Sequence, residues 1–164
     1  MSKDKTRALV ARFIDHLEAQ RFEEAYRLLN PDGRFVMTGQ TPASGTYDGL
    51  DDIFTRLAPK LSGFTELPKI KVSDIVIDGD KAFLRATGVG AGAYGRYEQP
   101  YYGYFLRVEG DGFSEIVEYL DTVQLEVALY GKALVAAESS EDILKGAGRR
   151  SARGREAGQG RERT

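Results

Sequence analysis

Residues 101–130, YYGYFLRVEGDGFSEIVEYLDTVQLEVALY, constrain this chain most. Two runs rich in aromatic and β-branched residues, 101–108 and 113–121, flank Glu109-Gly110-Asp111-Gly112, which is the chemistry of a tight hairpin turn. Strands joined so closely are antiparallel, so an antiparallel sheet has to form here. Strict alternation places Phe113, Glu115, Val117, Tyr119 and Asp121 on one face of the second strand. Ser114, Ile116, Glu118, Leu120 and Thr122 then occupy the other. On the first strand Tyr102, Tyr104, Leu106 and Val108 oppose Tyr101, Gly103, Phe105 and Arg107. Periodicity leaves open which face lines a cavity.

The segments before this hairpin supply helices and further strands. Leu9, Val10, Phe13, Ile14 and Leu17 recur at helical spacing, which predicts a helix over residues 5–20. A second short helix over 23–30 turns Ala25, Tyr26, Leu28 and Leu29 inward, and Asn30-Pro31-Asp32-Gly33 ends it. A strand over 34–38 and a turn-rich loop over 39–45 follow. Asp48 is placed to cap a helix carrying Leu50, Ile53, Phe54, Leu57 and Leu61, whose last turn Pro59 distorts. Ile70, Val72, Ile75 and Ile77 alternate in two registers, which predicts a strand with a bulge near Ser73-Asp74. Asp78-Gly79-Asp80 reads as a hairpin turn leading into a strand over 82–89. Gly88, Gly90, Gly92 and Gly95 mark either a loop at a pocket mouth or a strongly bent strand. Residues 123–134 form a closing helix or a strand-like extension. Helices first and hairpins after them indicate an α+β domain with helices on one sheet face.

Composition narrows the function classes. The chain of 164 residues has room for one sizeable core and contains no apolar run long enough to span a membrane. Its N-terminus lacks the apolar core of a signal peptide, and it contains no cysteine, so a cytoplasmic protein is expected. With His16 as the single histidine, neither a metal site nor a cofactor is expected. From Gly146 onward six Arg face two Glu, so a formal net charge of -2 leaves about -6 on the remainder. That basic tail reads as a solvated extension, disordered from about residue 146, and no specific nucleic-acid partner is expected.

Asp121 closes an apolar strand. A carboxylate there can act as a desolvated general acid or base, or simply cap the helix that follows. An exposed, helix-capping Asp121 would remove the main support for catalysis. Arg85 shares a strand face with Phe83 and Thr87 and can meet a carboxylate or an anionic substituent. His16 and Tyr26 fall at the borders of helical apolar stripes.

Three segments, LVARFIDHLEAQRFEEAYRLL, GTYDGLDDIF and YFLRVEGDGFSEIVEYLDTVQL, together resemble the SnoaL-like, ketosteroid-isomerase-like branch of the NTF2-like superfamily. The likeness spans residues 5–134, with 135–164 left as a polar Arg/Gly-rich extension. It implies an NTF2-like (cystatin-like) cone: a strongly curved, mainly antiparallel sheet packed on N-terminal helices around a cavity, in a homodimer. The implied partner is a small hydrophobic organic molecule. The implied chemistry is cofactor-independent acid/base catalysis on a carbonyl compound, of polyketide-cyclase or isomerase type, or else ligand binding without chemistry. The isomerase positions are filled by Phe13, Met37 and Tyr104, of which only Tyr104 can polarise a carbonyl. An epoxide hydrolase or dehydratase is disfavoured, because Thr87 stands where a second carboxylate would accompany Arg85 and Asp121. The cyclase-type role falls on Asp121, with Tyr104 and His16 as partners. Phe13, Tyr26, Met37, Arg85, Tyr102 and Tyr119 are the expected pocket residues.

Overall fold

A computed structural model of the chain describes residues 3–136. The described part comprises a compact unit ending at Lys132 and residues 133–136 of a second one. The Arg-rich tail foreseen from the sequence lies outside the described residues. Helix α1 (Lys3–Glu18) buries Leu9, Val10, Phe13 and Leu17, the face that their spacing predicts. Phe13 meets Tyr104 and Phe113 edge-on, with ring centroids 5.8 and 5.4 Å away, and this ties the helix to the sheet. Helix α2 (Phe22–Tyr26) ends earlier than the sequence suggests, and strand β1 (Leu29–Met37) begins before Pro31 rather than after Gly33. Pro31 fits there because the β1 register shifts between Leu29 and Arg34, where regular pairing makes no demand on its missing N–H.

Strand β2 (Gly45–Asp48) pairs antiparallel with β1. Helix α3 (Gly49–Asp52) continues through a π-helical turn (Ile53–Leu57) and a 3-10 turn (Ala58–Leu61) containing Pro59. Asp48 makes no side-chain capping bond there; its N–H donates to Asp52 Oδ2 instead. Strands β3 (Phe64–Asp78), β4 (Lys81–Gly92), β5 (Gly95–Glu109) and β6 (Gly112–Tyr119) follow as successive antiparallel neighbours. The β3 register breaks at Ser73, as its changing alternation predicts. The glycine-rich stretch is paired strand: Gly88, Gly90 and Gly92 lie in β4 opposite Gln99, Tyr97 and Gly95. A Cβ on Gly88 would stand 2.5 Å from the Tyr102 ring, so the bare backbone leaves that ring its place. Helix α4 (Thr122–Tyr130) closes the unit and stops at Gly131, which takes the left-handed conformation at φ 65°.

The strongly curved cone implied by the resemblance is corrected by this sheet. Its six strands run in the order β2-β1-β6-β5-β4-β3, with β1 parallel to β6, and the sheet is neither closed nor strongly curled. The edge strands β2 and β3 do not pair with each other. Hairpin turns dictate only antiparallel neighbours. The parallel β1–β6 contact arises because the chain crosses to the far edge and returns strand by strand, which no local turn signal encodes. The architecture is therefore α+β with an open mixed sheet carrying its helices against one face.

Candidate functional site

Two irregularities in strand register assemble the site. Between Ala86↔Tyr102 and Gly88↔Gln99 the β4–β5 register shifts: Pro100 and Tyr101 on β5 together face Thr87 on β4, which puts one extra residue into β5. Parity reverses across them, so Tyr97, Gln99, Tyr102 and Tyr104 are all buried although their numbers alternate out of phase. In the second hairpin the register shifts between Val108↔Phe113 and Arg107↔Glu115, which leaves Ser114 as the extra residue. Phe113 and Ile116 therefore both turn inward, and Glu118 follows them onto the same face, directly opposite Tyr104.

Of these residues Tyr97, Tyr102, Tyr104 and Glu118 line a cavity of about 590 Å³. Its apolar walls include Phe22, Met37, Ile53, Phe54, Leu57 and Leu125, drawn from the helices, the 53–61 turns and the sheet. The volume lies in the range of small-molecule sites, and its lining has the expected character of many apolar groups around a few polar ones. Gln20 and Arg21 stand on its lining with Leu67 opposite, where Gln20 Nε2 donates to the Leu67 carbonyl at 2.8 Å.

Glu118 is the chemical centre of this face. It is only 5% exposed, and its Oε1 accepts a hydrogen bond from the Tyr104 hydroxyl at 3.3 Å. Its Oε2 is buried and has no hydrogen-bond partner. Loss of water raises its pKa to about 7, and the Tyr104 bond opposes that rise without cancelling it. Thr38 holds the strand in place, since its N–H and hydroxyl both donate to the Glu118 carbonyl, at 3.1 and 3.0 Å. Burial also pushes the phenols of Tyr26, Tyr102 and Tyr104 well above their ordinary range, with the Glu118 charge adding to each rise, so all three stay protonated at neutral pH.

A second polar chain runs beside the carboxylate. Gln99 Oε1 accepts from the Asp121 N–H at 2.7 Å, which orients the amide. Its Nε2 donates to the Asp121 carbonyl at 2.9 Å and to the Tyr97 hydroxyl at 3.0 Å. The Tyr97 and Tyr102 hydroxyls are 2.6 Å apart, and the Tyr102 ring stacks on Tyr104 with centroids separated by 5.8 Å.

The residues proposed from sequence separate into two groups. Tyr26, Met37, Tyr102 and Tyr104 line the cavity, and Phe13 is buried behind Tyr104. The others lie elsewhere. Asp121 is exposed and caps α4, accepting from the Val123 N–H at 2.9 Å. His16 is half-buried on α1, and its Nδ1 accepts from Arg21 Nε at 3.2 Å. Arg85 is exposed beside Phe83 and Thr87, where its Nη2 pairs with Asp74 Oδ2 at 2.7 Å. Tyr119 is 45% exposed, near Phe83. Glu118, Tyr97 and Gln99 are the additions that sequence reasoning did not single out. The available signal was a glutamate between Ile116 and Leu120, opposite a tyrosine-rich strand. Among the described residues no group of three or more His, Asp and Glu is placed to hold a metal ion.

No family model matches the sequence, and no curated protein matches it significantly. Solved structures do. An NTF2-like protein of unknown function from Burkholderia pseudomallei superposes with a TM-score of 0.67 at 14% identity, over 79% of this chain and 98% of that one. A SnoaL-like polyketide-cyclase candidate from Jannaschia sp. CCS1 gives 0.62 at 14% identity, over 79% and 94%. TerC co-crystallised with polyporic acid gives 0.65 at 14% identity, over 76% and 97%. These likenesses show the fold: the chain has the NTF2-like architecture.

The buried carboxyl has a consequence for stability. Its pKa rises on folding from 4.5 to about 7, so the fold favours its neutral form. That contribution is complete below pH 4.5 and is lost as pH rises through 7, at a cost of about 3 kcal/mol from 1.4 kcal/mol per unit. Glu118→Gln should therefore unfold at higher denaturant concentration than the wild type at pH 8.5 and show no such gain at pH 4.5. Parallel urea titrations at the two pH values check this.

Proposed function

We propose that this chain binds a small, largely apolar carbonyl compound in the cavity and moves a proton on it with Glu118. The observation that supports this most is the buried Glu118, whose Oε2 has no partner, among the lining residues of a cavity of ligand size. A carboxylate with a pKa of about 7 is half ionised at neutral pH, which suits a general base that must also return its proton. Tyr104 holds Oε1, so Oε2 is the oxygen that meets the ligand. The reaction class is proton abstraction next to a carbonyl, as in isomerases and polyketide cyclases. Similarity to the cyclase candidate from Jannaschia, and to TerC with its bound polyporic acid, agrees with this class without carrying it.

On this reading Asp121 serves α4 as its cap. A hydrolase built on Arg85 with Asp121 gains no support, because Arg85 is spent on Asp74 away from the cavity lining. Binding without turnover is the second reading, favoured by the absence of any other carboxylate on the sheet wall of the cavity among the described residues. A homodimer is also part of the proposal. Val76, Phe83, Phe105, Val117 and Val36 stand in one register row across β3, β4, β5, β6 and β1, and Phe83 and Val76 are well exposed. Such a row makes a self-complementary apolar face.

Exchange of the α-hydrogens of 2-tetralone in deuterium oxide, followed by proton NMR, tests the chemistry. The wild type should accelerate exchange with a rate that rises through pH 7. Glu118→Gln should lose about 100-fold or more, whereas Asp121→Asn, which keeps the cap, should stay within about threefold. Equal rates for the wild type and Glu118→Gln would remove Glu118 from the chemistry, and no acceleration by the wild type would leave the binding reading alone. For the assembly, light scattering should give a dimer that Phe83→Glu converts to monomer; a monomeric wild type would remove that part of the proposal.

A further inference from the structure

The polar groups of the cavity are not equivalent, and their proton inventory specifies what a ligand must carry. Gln99 fixes the count. Its Oε1 is committed to the Asp121 N–H, so its Nε2 is the donor toward both the Asp121 carbonyl and the Tyr97 oxygen. Tyr97 and Tyr102 then hold two phenol protons and share one hydrogen bond. Whichever way that bond runs, one proton of the pair is unspent, and both phenols line the cavity. Since the Tyr97 oxygen already accepts from Gln99, the favoured order sends the Tyr97 proton to Tyr102 and leaves that of Tyr102 facing the cavity.

The neighbouring stack has the opposite polarity. The Tyr104 proton is consumed by Glu118 Oε1, while Glu118 Oε2 keeps its lone pairs and has no partner. The Tyr102 ring stacks on that of Tyr104, the phenol that holds Glu118, so the donor and the acceptor belong to adjoining parts of the cavity lining. A ligand atom pair about 2–3 Å apart, with a hydrogen bond of about 3 Å at either end, is the kind of group that can bridge two such neighbours.

We infer that the cavity reads a flat molecule carrying a hydrogen-bond acceptor next to a donor, the acceptor taken by the Tyr97–Tyr102 pair and the donor by Glu118 Oε2. Lactams, enolised diketones and hydroxy-ketones have this pattern; simple ketones and hydrocarbons do not. The inference rests on the cavity being the binding site, as proposed above, and adds the polarity of what it takes. Buried groups left unpaired by a mismatched ligand are what make such a site selective.

Three probes of one shape separate the contributions. 2-Quinolone has an N–H beside its carbonyl, coumarin has a ring oxygen in place of that N–H, and naphthalene has neither group. Titration calorimetry at pH 8.5, where Glu118 is ionised, should rank them in that order, with 2-quinolone about tenfold or more tighter than coumarin. Glu118→Gln, of the same shape, should reduce this preference to within about twofold or reverse it. Either single Tyr→Phe change still leaves one phenol proton, so the double variant Tyr97→Phe/Tyr102→Phe is the diagnostic one. It should abolish the advantage of coumarin over naphthalene and keep the preference for 2-quinolone. The ratios are read within each protein, so a partly destabilised variant still reports. Binding of all three with equal affinity to the wild type would overturn the polarity and leave the cavity as a binding site. No binding of any probe would overturn both.

Discussion

The contact between Tyr104 and Glu118 organises the inner face of this protein. The two residues are direct cross-strand partners on β5 and β6, and the phenol donates to the carboxyl where both side chains are buried. A single hydrogen bond is not enough to hold a carboxylate in such surroundings. Burial therefore lifts the Glu118 pKa toward neutrality, and the same charge raises the neighbouring phenols. The phenols of this face are held protonated, and Glu118 is left poised near neutrality. The apolar lining supplies volume and exclusion of water; the carboxylate and the tyrosines supply direction.

Such an arrangement costs stability. A leucine at position 118 would remove the desolvation penalty and the unsatisfied oxygen together, so the core alone gives no reason for a glutamate. Asp121 presents the contrast. It accepts a backbone N–H at the start of α4 while exposed to solvent, and an N-cap of this kind accounts for its presence. Two acids three residues apart thus differ: one stabilises a helix, and the other has no explanation in the stability of the core.

The hairpins, the buried stripe of α1 and the bulge at Ser73 are legible in the sequence because each depends on neighbours within a few residues. The NTF2-like architecture is legible as well, from motif likeness. The parallel pairing of β1 with β6 and the open course of the sheet are not, since both depend on where a returning strand lands. The site was obscured for a related reason. Strict alternation puts Gln99 and Tyr102 on opposite faces of β5, and groups Phe113 with Val117 instead of Ile116. One extra residue within Pro100–Tyr101 and another at Ser114 reverse both counts. The position of Asp121 at the end of an apolar strand drew attention to the exposed acid, while the buried one lay three residues earlier on the face that the bulge turns inward.

The account depends on a carboxyl group that titrates near neutrality inside the fold. Carbon-13 NMR of protein labelled at the glutamate carboxyl carbon, with the Glu118 resonance assigned by its loss in Glu118→Gln, reads this directly. The midpoint of Glu118 should fall near pH 7. A Glu118 midpoint near the ordinary value of 4.5 would show a solvated carboxylate and contradict the role given to this buried acid.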